Sequence, residues 1–144
     1  MNLDEIRRKV SDDIKMDKTE LDIESMKTPQ LHNKYLIIYT DEKLILGKLE
    51  SDYKKLRKYK WLYYTGKMSQ EQLDDMGWEP FALSLLKTDL DKFIDADDDI
   101  ITLENKILLQ KEKVEYLKSV VGIVTNRQWL IRSTIDWIKF TQGS

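Results

Sequence analysis

The segment Tyr53-Lys54-Lys55-Leu56-Arg57-Lys58-Tyr59-Lys60-Trp61-Leu62-Tyr63-Tyr64 places five bases and five aromatic rings in twelve residues. Single-stranded nucleic acid asks for that combination: cations against its phosphates and flat rings under its unstacked bases. Lysine makes point-charge phosphate contacts, and no side chain here stands out as a bidentate reader of base edges, so little sequence discrimination is expected. On a helix, Leu56, Tyr59 and Tyr63 share a core seam. Lys54, Lys58 and Trp61 share a second face, and Tyr53, Arg57, Lys60 and Tyr64 a third. Both basic faces are expected to stand off the core. The candidate single-strand ligands are therefore Lys54, Lys55, Arg57, Lys58, Lys60, Trp61, Tyr64 and, just beyond, Lys67. Two competing readings use the same residues. In one the rings pack on neighbouring helices and the lysines are merely solvated; in the other the stripe belongs to a helical structural adaptor and binds an acidic protein segment.

A net charge of −2 conceals a marked separation. Residues 48–67 hold seven bases and two acids, whereas 71–104 hold eleven acids and two lysines. A concentrated basic stripe attracts polyanions even on an acidic molecule.

Most catalytic chemistry lacks its residues. With no Cys there is no thiol nucleophile, disulfide or thiolate zinc site, and a single His, His32, offers no basis for a Ser-His-Asp triad or a two-His metal site. Gly47-Lys48 and Gly66-Lys67 lack the upstream glycine and following Ser/Thr of a phosphate-binding loop. The run Asp95–Asp99 lacks the glycine and closing glutamate of an EF-hand loop and reads instead as acids at a helix N-terminus. No metal, cofactor or enzymatic activity is expected. No membrane span or signal peptide is recognised, and a soluble intracellular protein is expected.

The elements that must carry the stripe are helical. Five Gly and two Pro in 144 residues leave too few turn signals for an all-β domain. Leu3, Ile6, Val10 and Ile14 predict an amphipathic helix over 3–15, followed by a helical turn over 18–26. Thr28-Pro29 reads as a cap with proline at the first helical position, opening a long helix that Gly66 ends. Ser69 with Gln72 forms a capping box for a short helix stopped by Gly77, and Phe81–Ile94 reads as another helix. From Asp98 to Phe140 one apolar seam runs through Val114, Leu117, Val121, Val124, Ile131, Ile135 and Ile138. A second stripe joins it near the C-terminus, through Val120, Ile123, Leu130 and Trp137, with Trp129 and Phe140 beside it. A helix apolar on more than one side must be covered on more than one side. The seven seam residues from Val114 to Ile138 are therefore assigned to a homo-oligomer interface, the alternative being that the helix packs within one bundle. The expected architecture is an all-α single helical domain over 1–144: N-terminal helices and basic helix in 1–66, an irregular acidic connector in 67–95, and a C-terminal oligomerisation helix in 96–142.

The ordered combination of an amphipathic first helix, a long basic helix ending Lys58-Tyr59-Lys60-Trp61-Leu62-Tyr63-Tyr64-Thr65-Gly66, an acidic middle and a C-terminal helix resembles the UvsY-type recombination mediators of T-even-like phages. The spacing from Val114-Glu115-Tyr116-Leu117-Lys118 through Asn126-Arg127 to Ile138, Phe140 and Gly143 is similar as well. The second base of the family's basic-x-basic pair is Lys60 here where arginine is usual, and 68–90 matches poorly. The resemblance implies a ring-like homo-oligomer without catalytic activity, acting in the cytoplasm of an infected bacterium. It implies binding of single-stranded DNA and assistance to a RecA-like recombinase in displacing the phage single-strand-binding protein.

Overall fold

A computed structural model describes residues 1–143; Ser144, the last residue of the expected domain, lies outside the described residues. The described chain is all-α, with six helices: α1 (Leu3–Asp13), α2 (Leu21–Tyr64), α3 (Gln70–Met76), α4 (Lys87–Asp95), α5 (Asp98–Thr125) and α6 (Arg127–Thr141). None of them is long and apolar enough to cross a membrane. The chain divides into two compact units, one formed by Met1–Leu44 with the chain from Glu112 onward, the other by Ile45–Lys111.

In the first unit α1 lays Ile6 and Val10 against Tyr35 of α2 and Leu117, Val120 and Val124 of α5. Fully burying a side chain such as Leu117 stabilises by about 1.5–3 kcal/mol. Asn2 caps α1 through a reciprocal capping box with Glu5. Tyr35 carries its hydroxyl to Asp13, where it donates at 2.6 Å beside Lys34.

The predicted start of α2 is corrected. The helix begins at Leu21, so Pro29 lies inside it. Proline removes a backbone donor and crowds the preceding turn. Arg127, the first residue of α6, addresses that turn: its Nη1 donates to the Glu24 carbonyl at 2.5 Å and to the Thr28 hydroxyl at 3.0 Å, and its Nη2 pairs with the Glu24 carboxylate. All three residues are buried. A long-range guanidinium thus ties the turn before Pro29 to α6.

Two further boundaries differ. The C-terminal helix, read as one element over 96–142, breaks at Asn126, although the backbone stays right-handed and i→i−4 bonds continue on both sides. Residues 81–86, read as helix, are not helical, and α4 starts only at Lys87. The capping box of Ser69 with Gln72 and the left-handed stop at Gly77 form as expected.

Candidate nucleic-acid interface

The basic stripe occupies the C-terminal turns of α2, within the second unit. Gly66, at φ 72°, closes the helix: its N–H bonds the Tyr63 carbonyl and the Lys67 N–H bonds the Leu62 carbonyl. A side chain with a Cβ is strained at that φ, which is why glycine stands there. The reversal brings Lys67 back over the helix end, with Nζ 4.5 Å from the Trp61 ring centroid. Trp61 itself is 40% exposed. Lys54 and Lys58 lie on the same face, and Lys54, Lys55, Lys58 and Lys67 are all exposed. This face and the adjoining Lys55 therefore offer four cations and one accessible indole without salt bridges to acids of the chain among the described residues.

The third face behaves differently, and the expectation that it stands off the core is corrected. Lys60 is 4% exposed. Its ammonium lies 2.8 Å from Asp99 and 3.1 Å from Asp97, and 3.9 Å above the Trp78 ring. Tyr64 donates its hydroxyl to Asp97 at 2.6 Å and sets its ring against Phe81 and Phe93. Arg57 pairs with Asp95 at 3.1 Å and approaches Asp91 at 4.0 Å, with the Tyr53 hydroxyl at 3.3 Å. Tyr53 in turn donates to Glu104. Of the eight candidate ligands, Lys60 and Tyr64 are thus engaged inside the unit and Arg57 is half-engaged.

Asp97 is the centre that sequence reasoning missed. One carboxylate oxygen accepts from the N–H groups of Asp99 and Ile100, capping α5; the other accepts from Tyr64 and Lys60. Burial alone would raise its pKa, but these bonds to the ionised form prevail and hold it below the ordinary carboxylate value. Burial, reinforced by the adjacent Asp97 charge, pushes the Tyr64 phenol well above its ordinary value, so it remains a donor. At Arg57 burial opposes the charge, and the hydrogen bonds that Arg57 donates to Asp95 and Tyr53 outweigh it. The Asp run did signal a helix N-terminus. Its pairing with bases more than 30 residues away left no local trace.

Much of the seam assigned to oligomerisation is packed inside the chain. Val114, Leu117, Val124 and Ile131 are buried within the first unit, and Val121 packs against its core, so these residues are occupied inside the chain. Ile138 is half-buried and Ile135 more open. Of the second stripe, Val120 is buried in the core, while Ile123, Trp129, Leu130, Trp137 and Phe140 are left exposed, Phe140 to 77%. Trp137 and Phe140 lie ring to ring at 5.9 Å.

The same arrangement of helices recurs in solved structures. Two crystal structures of the bacteriophage T4 recombination mediator protein UvsY, from different lattices, superpose with a TM-score of 0.84 at 18% identity. They cover 99% and 97% of this chain and 98% and 99% of theirs. A third crystal form gives 0.82 at 17% identity. At that identity the likeness establishes the fold. No curated protein matches the chain. Kinship comes from the sequence: residues 9–144 match the family described as "Recombination, repair and ssDNA binding protein UvsY". With nearly the whole chain matched and the helical order shared, this protein belongs to the UvsY family.

Proposed function

We propose that this member of a recombination-mediator family binds single-stranded DNA without sequence preference, through Lys54, Lys55, Lys58, Trp61 and Lys67. Arg57 stands at the edge of that surface. In this reading the protein helps a RecA-like recombinase displace single-strand-binding protein, in the cytoplasm of an infected bacterium, and catalyses nothing itself. The observation that carries it is the outer face of α2. Its cations are left without acidic partners while the same helix's inner cations are neutralised, and an indole stands among them. Unneutralised cations beside an accessible ring favour a phosphate backbone carrying unstacked bases.

One such face is a weak site. We propose that copies of the chain assemble in a ring through the uncovered stripe of α6, so that several stripes act on one strand at high effective concentration. The burial of Lys60 and Tyr64 withdraws them from the proposed binding surface.

The test is anisotropy of a labelled oligonucleotide across a range of salt concentrations. Each phosphate neutralised adds about 0.7 to the log–log slope for single strands. A steep slope with similar affinities for unrelated oligonucleotides supports the reading. A flat slope, or preference for an acidic peptide over DNA, overturns it in favour of an adaptor.

A further inference from the structure

Within the first unit a cavity of about 210 Å³ lies between the end of α1, α2 and the junction of α5 with α6. Two charged residues line it, and both are answered inside the chain: Asp13 by Lys34 and Tyr35, Arg127 by Glu24. The cavity therefore does not ask for an ion. Its other walls include Ile14, Leu31, Ile123 and Leu130, and all of these but Leu31 remain exposed, so apolar surface faces water there. An apolar cavity of about 150 Å³ accommodates a benzene-sized ring, so this one has room for an aromatic side chain. One polar group beside it is unsatisfied. Arg127 is 5% exposed, and its Nε–H finds no acceptor among the described residues. A buried donor without a partner is costly, and α6 opens at that point with no side-chain cap. The fitting occupant is an aromatic ring accompanied by hydrogen-bond acceptors.

The other end of α6 carries that combination. Trp137 and Phe140 stand ring to ring in solvent, Trp137 64% exposed. Just beside them the carbonyls of Lys139 and Thr141 accept no backbone hydrogen bond among the described residues. These rings cannot fill the cavity of their own copy. The helix is unbroken from Arg127 to Thr141, so Phe140, ten residues after Leu130, lies about 15 Å further along its axis. Cavity and rings thus sit towards opposite ends of one rigid helix in every copy, and each copy has one of each to offer a neighbour. A contact of this kind is head-to-tail, and repetition closes it into a ring where the rotation allows. A lipid surface would cover the rings but leave the cavity and the Arg127 donor unfilled.

We infer that Phe140 of one copy, backed by Trp137, seats in the cavity beside Arg127 of the next copy. The inference rests on the assembly through α6 proposed above and gives that assembly a polarity and a specific lock.

The experiment is complementation between two full-length variants, read by sedimentation, with circular dichroism as the check on folding. Trp137→Lys with Phe140→Lys removes the rings and keeps the cavity; Leu130→Trp fills the cavity and keeps the rings. Each alone is expected to fall from the mass of the parent assembly to the 17.2 kDa of one chain, with helical content unchanged. Mixed one to one, they are expected to form a heterodimer of twice that mass, because one intact ring pair meets one intact cavity. A folded variant that keeps the parent mass, or a folded pair that stays monomeric on mixing, overturns the inference. A second measurement spares both cavity wall and rings. The chain has no cysteine, so Asn126→Cys at the cavity and Thr141→Cys beside Phe140 are unique sites for a short bis-maleimide. The two single variants are expected to cross-link when mixed at least fivefold more than either alone. Linkage within either variant alone as strong as in the mixture marks a like-to-like contact and overturns the head-to-tail lock. A parent chain that is itself monomeric defeats the proposed assembly as a whole, whereas a parent that assembles while the variants do not respond defeats only this lock, so the two failures are separable.

Discussion

Two faces of one helix carry the same residue types and meet opposite fates. On the outer face of α2, Lys54, Lys58 and Trp61 project into solvent with Lys67 folded back above them. On the inner face, a quarter-turn or so away, Arg57, Lys60 and Tyr64 are met by Asp91, Asp95, Asp97 and Asp99. The acidic stretch is thus not a solvated counterweight to the basic one. It neutralises one edge of the helix and leaves the other without acidic partners among the described residues. Buried charges are tolerated only when paired and hydrogen-bonded, and Lys60 satisfies that with two carboxylates and an indole face. Where the chain supplies the anions, lysine is structural; where it does not, lysine is available to an external anion.

The sharpest way to break this contrast is Lys60→Met. It leaves the buried Asp97 carboxylate without its cation, a change that typically costs about 3–5 kcal/mol. Because Tyr64 and two N–H groups still hold Asp97, the low end of that range is expected, read as a lowered denaturation midpoint. If Lys60→Met is as stable as the parent but loses oligonucleotide affinity, the inner face is a DNA face after all. Tyr64→Phe is the next step down. It removes one bond to a charged acceptor, worth about 1.5–3 kcal/mol, while keeping the ring between Phe81 and Phe93.

Asp97 also sets an acid response. Its pKa is depressed in the folded chain, so it adds stability at neutral pH. That stability begins to disappear as pH falls past the ordinary carboxylate value of 3.8 and is gone below the depressed one. Asp97→Asn is expected to be less stable than the parent at pH 7 and to converge with it towards pH 2. Parallel melting curves across that range would show that Asp97 is not the acid-labile group.

These contrasts delimit what was legible in the chain. Local stereochemistry was: Ser69 with Gln72, Gly77 and Gly66 sit at the boundaries that capping rules assign them. The three-face division of the basic segment was legible too, since helical periodicity alone separates Lys58 from Lys60. Which of two polar faces turns inward was not, because the deciding carboxylates lie at positions 91–99 and only tertiary packing brings them to Arg57 and Lys60. The same limit explains Pro29. Proline at a helix start is the local rule, but α2 begins eight residues earlier, and the turn before Pro29 is tied to Arg127, about 100 residues on, through Glu24 and Thr28. At 81–86 the aromatic cluster around Phe81 overrides propensity in the opposite direction.

The smallest effect on stability is expected from Lys58→Ala, and it bears most directly on the outer face. Lys58 is exposed, and no acidic side chain among the described residues pairs with it; its ammonium lies over the Tyr59 ring, 5.9 Å from the centroid. Removing such a side chain usually changes stability by within about 0.5 kcal/mol, and alanine is the better helix former. Melting and oligomer mass should therefore match the parent. The salt slope of oligonucleotide binding should fall by about 0.7 for each phosphate that Lys58 no longer neutralises, and by about twice that when Lys54→Ala is added on the same face. In an assembly these increments repeat with every subunit that touches the strand. The inner-face counterpart, Lys60→Met, should show the reverse signature of lowered stability with an unaltered slope in the fraction that folds. If both substitutions shift the slope equally, a bound strand must reach Lys60, which would require Asp97 and Asp99 to release it.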